Sequence, residues 1–171
     1  MTFIAGAFDA LWGAQDIGQV KDGFTIEYFA HKQLITGDKF GRAPQDAVNL
    51  GLECFVEFTL IDWPVVGTQK LVQLLWPHSL AGDGASFTHG DAGVIGELDS
   101  KNVEALQLTA KTGTSSAGLT AETQWIFTLS ILAEGFPVRL LLSPELREVP
   151  LRLRVYPNTT TGVFFTRAAT A

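Results

Sequence analysis

The sequence predicts a mainly β protein, a β-sandwich or barrel of seven or eight strands with one flanking α-helix. The clearest strand is Asn49 to Ile61, in which an apolar face alternates with a mixed face that includes Glu53 and Glu57. The apolar face, which we expect to pack the core, carries Leu50, Leu52, Cys54, Val56, Phe58 and Leu60. Phe24 to Phe29 follows the same pattern. At about 3.3 Å per residue, the strand from Asn49 to Ile61 spans roughly 40 Å. It is much longer than a usual strand, which has about five or six residues. This length indicates a sheet that continues past its own protomer.

The other elements follow from shorter patterns. Apolar residues and turn glycines before Val20 predict short extended pieces. Further strands are predicted at Leu106 to Leu108, Trp125 to Leu132, Val138 to Leu142 and Leu151 to Tyr156. The one predicted helix begins after Asp62 and ends at Pro77, with proline in its first turn and leucines at helical spacing.

Length and composition favour a single domain, residues 1–171, with some apolar surface that meets other protein. The chain of 171 residues is 46% hydrophobic and only 18% charged, below the usual quarter for soluble domains. Its net charge of -6 argues against a protein that grips nucleic-acid phosphates. The charge is uneven, since residues 1–62 are net acidic and residues 139–171 are net basic.

The segment at the N-terminus lacks the basic lead and long apolar run of a secretory signal, and no stretch approaches the ~20 apolar residues of a membrane span. We therefore expect no membrane insertion. Cys54 is the one cysteine, so no internal disulfide forms, and its place on the apolar face of the long strand favours a core residue over a nucleophile.

A search for chemistry predicts no enzyme, no metal site and no cofactor. His31, His78 and His89 are widely separated, and phosphate-binding, dinucleotide-binding and nucleophile motifs are absent from the sequence. Glu53 and Glu57 lie roughly 13 Å apart along one strand, too far for a glycosidase pair. Together with Glu27 they are better interpreted as surface electrostatics.

Two segments carry a resemblance to a known family. Leu34 to Asp62 resembles the loop-plus-strand signature of the tail tube proteins (major tail proteins) of long-tailed bacteriophages. The matching residues are Asp38, Gly41, Pro44, Asp46, Gly51, Glu53, Phe58, Thr59 and Leu60. Pro150 to Phe165 is similar to the family's closing strand, proline-bearing turn and final aromatic strand. The chain departs from the pattern at Arg42, where an acid is common, and at Cys54, where a second glutamate is usual.

The resemblance implies a structural virion protein, made in the host bacterial cytoplasm, whose hexameric rings stack into a tail tube beside other tail proteins. DNA would pass through an acidic lumen during ejection without sequence-specific binding. The residues expected to face the lumen are Thr25, Glu27, Glu53, Glu57 and Thr59. The residues expected to contact other subunits or rings are Gly37, Asp38, Lys39, Phe40, Gly41, Arg42, Pro44 and Asp46. Phe55 and Ile61 fit the lumen face least well and are expected to meet a neighbouring subunit.

Two alternatives stay open at this point. One is a soluble carbohydrate-binding β-sandwich that uses exposed tryptophans such as Trp12 or Trp125, although burial of the tryptophans is the more common outcome. The other is a tube-like ring protein of a related tail-end, secretion or injection apparatus.

Overall fold

The computed structural model describes residues 8–36, 43–61, 74–75, 98, 102–110, 124–139 and 148–168. These residues form eight strands, which confirms the mainly β prediction. The strands are β1 (Phe8–Trp12), β2 (Gln15–Asp16), β3 (Val20–Thr36), β4 (Pro44–Leu60), β5 (Glu104–Ala110), β6 (Gln124–Leu132), β7 (Val149–Tyr156) and β8 (Phe165–Ala168).

All eight strands belong to one antiparallel sheet with the order β2-β1-β5-β6-β7-β4-β3, and β8 pairs with β6 off this path. The first half of β6 pairs with β8 and its second half pairs with β7. Among the described residues, one buried cluster contains Trp12 and Leu106 from one half of the sheet and Val56 and Leu153 from the other. Tyr28 of the edge strand β3 lies edge-on to Phe165 of β8, with ring centroids 6.3 Å apart, so the sheet curls over itself and its two halves enclose one core.

Strands β3 and β4 form a long hairpin of 17 residues on each side. In its inner half the alternation of β4 buries the predicted core face, with Cys54, Val56, Phe58 and Leu60 at most 5% exposed. In its outer half, residues 28–36 of β3 and 44–50 of β4 are all exposed. We call these two stretches the arm.

The arm corrects one part of the predicted core. Leu50 was expected to pack inward with the other even-numbered residues of β4, but it is 63% exposed. The pairing register shifts between His31 and Lys32, where Leu50 has no partner on β3, and the hairpin there has left the core. A bulge of this kind adds one residue to one strand and ends the simple alternation.

The structure describes only part of two predicted elements, the helix after Asp62 and the strand from Val138. Leu74 and Leu75 are helical, almost fully buried and part of the core cluster, whereas the rest of the predicted helix lies outside the described residues. The strand predicted from Val138 is wrong for Val138 and Arg139, which follow a turn at Gly135 and have no strand pairing. Pro137 precedes them and lacks the N–H that a ladder needs. Leu140 to Leu142 lie outside the described residues.

Candidate functional site

The five residues expected to face a lumen lie on one face of the sheet. Antiparallel pairing places Thr25 opposite Glu57, Glu27 opposite Phe55, and Thr59 opposite Lys21. Residues that pair directly across strands share a face, and so does every second residue along a strand, which brings Glu53 to the same side. We call this surface the charged face. Its other members are Lys21 and Phe29 on β3, Phe55 on β4, and Arg152 and Arg154 on β7.

Arg152 bridges two of the carboxylates. Its Nη2 donates a hydrogen bond of 2.9 Å to Glu27 Oε2, and its Nε lies 3.2 Å from Glu57 Oε1. The second contact is an ion pair without hydrogen-bond geometry, since the buried Nε has no hydrogen-bond partner. Glu57 pairs with Arg152 on the neighbouring strand, whereas Glu27 lies one strand further away, so the guanidinium reaches across β4.

Arg154 makes a second set of ion pairs. Its Nη1 lies 3.6 Å from Glu53 Oε1, and its Nε donates a 2.8 Å hydrogen bond to Glu134 Oε2. Nη2 contacts the other oxygen of Glu134, so this pair is bidentate. Bidentate arginine–carboxylate pairs are the geometrically specific form of this interaction. His31 Nε2 lies 3.5 Å from Glu53 Oε2, at the start of the arm.

Phe55 is the apolar platform beneath both arginines. Its ring centre lies 4.3 Å from the guanidinium carbon of Arg152 and 4.8 Å from that of Arg154, within the range of cation–π attraction. Phe29 meets the same ring nearly edge-on, with centroids 6.2 Å apart. The side chain of Phe55 is only 7% exposed. Phe55 was expected to contact a neighbouring subunit, but it packs against side chains of its own chain.

The charged face is consequently less acidic than the carboxylates alone suggest. Four glutamates (Glu27, Glu53, Glu57 and Glu134) meet two arginines, which leaves a formal excess of two negative charges. Sequence reasoning missed the arginines as site residues. The alternation of leucine and arginine in Leu151 to Arg154 could have identified them, because it places both arginines on one face of a strand. Such a strand pairs favourably with a neighbour that carries glutamates on the same face.

A further ion pair lies at the end of the charged face, where Lys21 is opposite Thr59. Lys21 Nζ lies 2.6 Å from Glu148 Oε1, and the two side chains are 46% and 43% exposed. The hydrogen bond and the negative charge of Glu148 raise the pKa of Lys21 above its ordinary value. Lys21 therefore stays charged throughout the neutral range.

The arm is the other candidate region, because it exposes apolar side chains. Tyr28, Phe29, Leu34, Ile35, Val48 and Leu50 are 45–63% exposed. Pro44 and Asp46, two of the residues expected to contact other subunits, lie on the arm and are exposed. The other six, Gly37 to Arg42, lie outside the described residues.

The remaining candidate residues do not form a reactive site within the described part of the chain. Trp12 is 1% exposed, which removes it as a sugar-binding platform, while Trp125 is half-buried against Phe165. Burial raises the pKa of the Cys54 thiol to about 11, so it is protonated and unreactive at neutral pH. The described residues contain no metal-ligand cluster and no helix long and apolar enough to cross a membrane. His78 and His89 lie outside them.

No protein-family model matches the chain, and no curated protein matches it. Among solved structures, the fold is similar to a chain in the sheath–tube complex, in its extended state, of an extracellular contractile injection system, PVC. The TM-score is 0.43 and the sequence identity 11%, over 95% of this chain and 88% of that chain.

Proposed function

We propose that the protein is a structural tail tube protein of a long-tailed bacteriophage, with no enzymatic role. Six copies form a ring, the rings stack into a tube, and DNA passes through the tube during ejection. The observation that carries this proposal is the arm, a two-stranded extension that leaves the core and exposes six large apolar side chains.

The arm is unfavourable in an isolated protomer. Two strands alone are marginally stable in water, and apolar side chains on such an extension gain their stabilisation only when another surface covers them. A second copy of the same chain is the simplest cover, because closed symmetric assemblies of identical chains are the commonest oligomers. The resemblance to tail tube proteins supports the same role, since its matching residues Pro44 and Asp46 lie on the arm.

The sheet edge supports assembly as well. In the part of the chain that the structure describes, β3 is the last strand in the sheet order and, at 17 residues, extends over roughly 55 Å. Long edges of this kind present unpaired backbone groups that favour pairing with another strand. In a ring, that strand belongs to the neighbouring protomer, so that six sheets continue into one wall.

The charged face is the surface we assign to the lumen. It carries an excess of carboxylates over arginines, and the glutamates of β3 and β4 are 33–38% exposed. A net negative wall repels DNA phosphates, which favours passage over retention. Such a surface acts on the phosphate backbone and has no means of distinguishing bases, so DNA transit is independent of sequence.

Electron microscopy of the concentrated purified protein tests the proposal. Rings or tubes with a central hole are the expected result, and tubes of the same width should form the shaft of phage particles labelled with an antibody against this chain. Particles that remain single protomers at high concentration, together with an unlabelled tail shaft, would overturn it. Labelling of a DNA-free injection particle would instead support the related apparatus.

A further inference from the structure

The guanidinium groups of Arg152 and Arg154 are seated at the surface and are not enclosed in the core. Their side chains are 31% and 22% exposed, and Phe55 holds both from below. Each guanidinium is ion-paired with carboxylates of the same chain. Arg152 pairs with Glu27 and Glu57, and Arg154 pairs with Glu53 and Glu134. The two arginines are thus preorganised on a rigid strand, and their partners are intramolecular.

Carboxylate and phosphate compete for the same donors. A guanidinium binds either group through the same fork of N–H donors, and it is the side chain that binds phosphate with the best-matched geometry. Two arginines fixed on a strand in this way would bind a DNA backbone if their partners were absent. In a tube the same pair recurs in every protomer, and phosphate contacts add up in the affinity for DNA.

We infer that Glu27, Glu53, Glu57 and Glu134 act as internal competitors that occupy Arg152 and Arg154 and so prevent these arginines from binding DNA phosphates. The inference rests on the proposed lumen for its biological setting. This competition differs from charge repulsion in what it depends on. Repulsion of DNA depends on the total charge of the protein. Competition depends on which carboxylate is removed and on the presence of the arginine that this carboxylate pairs with.

Four forms of the dispersed protein separate these two effects. The first is wild type, and the second is Glu27→Gln/Glu57→Gln, which uncovers Arg152 while preserving side-chain shape. The third adds Arg152→Gln to the second. The fourth is a charge-matched control, Asp9→Asn/Asp16→Asn, which removes two carboxylates away from both the charged face and the arm and keeps the side-chain oxygen that accepts from Gly18.

The readout is binding of a short fluorescent DNA duplex, measured by anisotropy over a range of salt concentrations. We expect the Glu27→Gln/Glu57→Gln protein to bind about tenfold more tightly than the control at low salt, which corresponds to one charged hydrogen-bonded contact. Its log–log salt slope should be steeper by about one unit per uncovered arginine. Adding Arg152→Gln should return both quantities to the control values.

A second pair of substitutions, Glu53→Gln/Glu134→Gln, removes the ion-pair partners of Arg154 and tests the inference independently. Adding Arg154→Gln to this pair should abolish the gain in DNA binding. Circular dichroism and the urea midpoint verify that each form is folded. Equal DNA binding by the control and the Glu27→Gln/Glu57→Gln protein, or binding that persists without Arg152, would overturn the inference. Neither result bears on ring formation, which microscopy tests separately.

Discussion

Arg152 on β7 is ion-paired with Glu27 on β3, although the two strands are not neighbours in the sheet. The 2.9 Å contact between Nη2 and Oε2 passes over β4, where Phe55 supports the guanidinium. The edge strand is thereby joined to the sheet interior by side chains as well as by its backbone ladder with β4. The arm begins within two residues of Glu27, so this contact anchors its base.

A double-mutant cycle measures this anchor. Arg152→Gln, Glu27→Gln and the double variant should give a coupling free energy of about 1 kcal/mol in urea unfolding, because both side chains are about two-thirds buried and hydrogen-bonded. The coupling should weaken in 1 M salt through screening. Lys21–Glu148, whose side chains are more exposed, is the matched pair and should show a smaller coupling. Equal coupling in both pairs would contradict an anchoring role.

Trp12 and Ser130 form a buried polar contact between β1 and β6. The indole Nε1 donates to Ser130 Oγ at 3.1 Å, and Oγ donates to the Glu104 carbonyl at 2.9 Å. Ser130→Ala should lower the free energy of unfolding by about 1–3 kcal/mol, because it leaves the buried indole N–H without an acceptor. Urea unfolding should show a lower midpoint with an unchanged slope.

The control for this prediction is Thr159→Ala, a similar loss of a hydroxyl at an exposed turn position. Its effect should stay within about 0.5 kcal/mol. A Ser130→Ala protein as stable as the Thr159→Ala protein would show that the indole N–H finds another partner.

The Cys54 thiol predicts a specific pH dependence. Burial raises its pKa from the ordinary 9.0 to about 11 in the folded protein. As the pH rises through 9, the thiol of the unfolded chain loses its proton while the folded one keeps it, so folding stability declines between about pH 9 and 11. The expected loss attributable to Cys54 is about 2 kcal/mol.

Comparison with Cys54→Ala separates the loss of stability caused by Cys54 from the effects of other groups that titrate at high pH. The wild-type urea midpoint should fall more steeply than that of Cys54→Ala between pH 8 and 10.5, although the variant is less stable at pH 8. A thiol reagent at pH 8 should label wild type only at the rate of unfolding. Parallel midpoint curves would show that the folded thiol ionises normally.

The arm predicts a separation of folding from assembly. Leu34→Thr/Ile35→Thr should leave the unfolding midpoint nearly unchanged, because both side chains are about half exposed and threonine is a β-branched residue suited to strands. Ring or tube formation should be lost, which sedimentation and microscopy would detect.

Val163→Thr is the matched substitution outside the arm, where valine is 40% exposed. This variant should assemble normally. If Leu34→Thr/Ile35→Thr forms tubes as readily as Val163→Thr, the apolar side chains of the arm do not carry the subunit contact.

Much of the fold was predictable because it depends on local alternation. The period of two in β4 correctly assigned Cys54, Val56, Phe58 and Leu60 to the core, and the same rule placed Glu53 and Glu57 together on the other face. Leu50 escaped the rule, because the bulge beside it depends on how β3 and β4 pair. The strand predicted from Val138 failed at its first two residues, because their hydrophobicity does not offset the missing N–H donor of Pro137 beside them.

The sequence by itself determined that this chain is mainly β, that the strand from Asn49 to Ile61 is unusually long, and that its glutamates, Glu53 and Glu57, lie on one face. These properties follow from the backbone pleat, which acts over a few residues. Only the tertiary structure decided that Arg152 and Arg154 cover those glutamates over Phe55. That arrangement requires β7 to pair with β4 in one register across about a hundred residues of chain, and register is selected by the packing of the whole sheet.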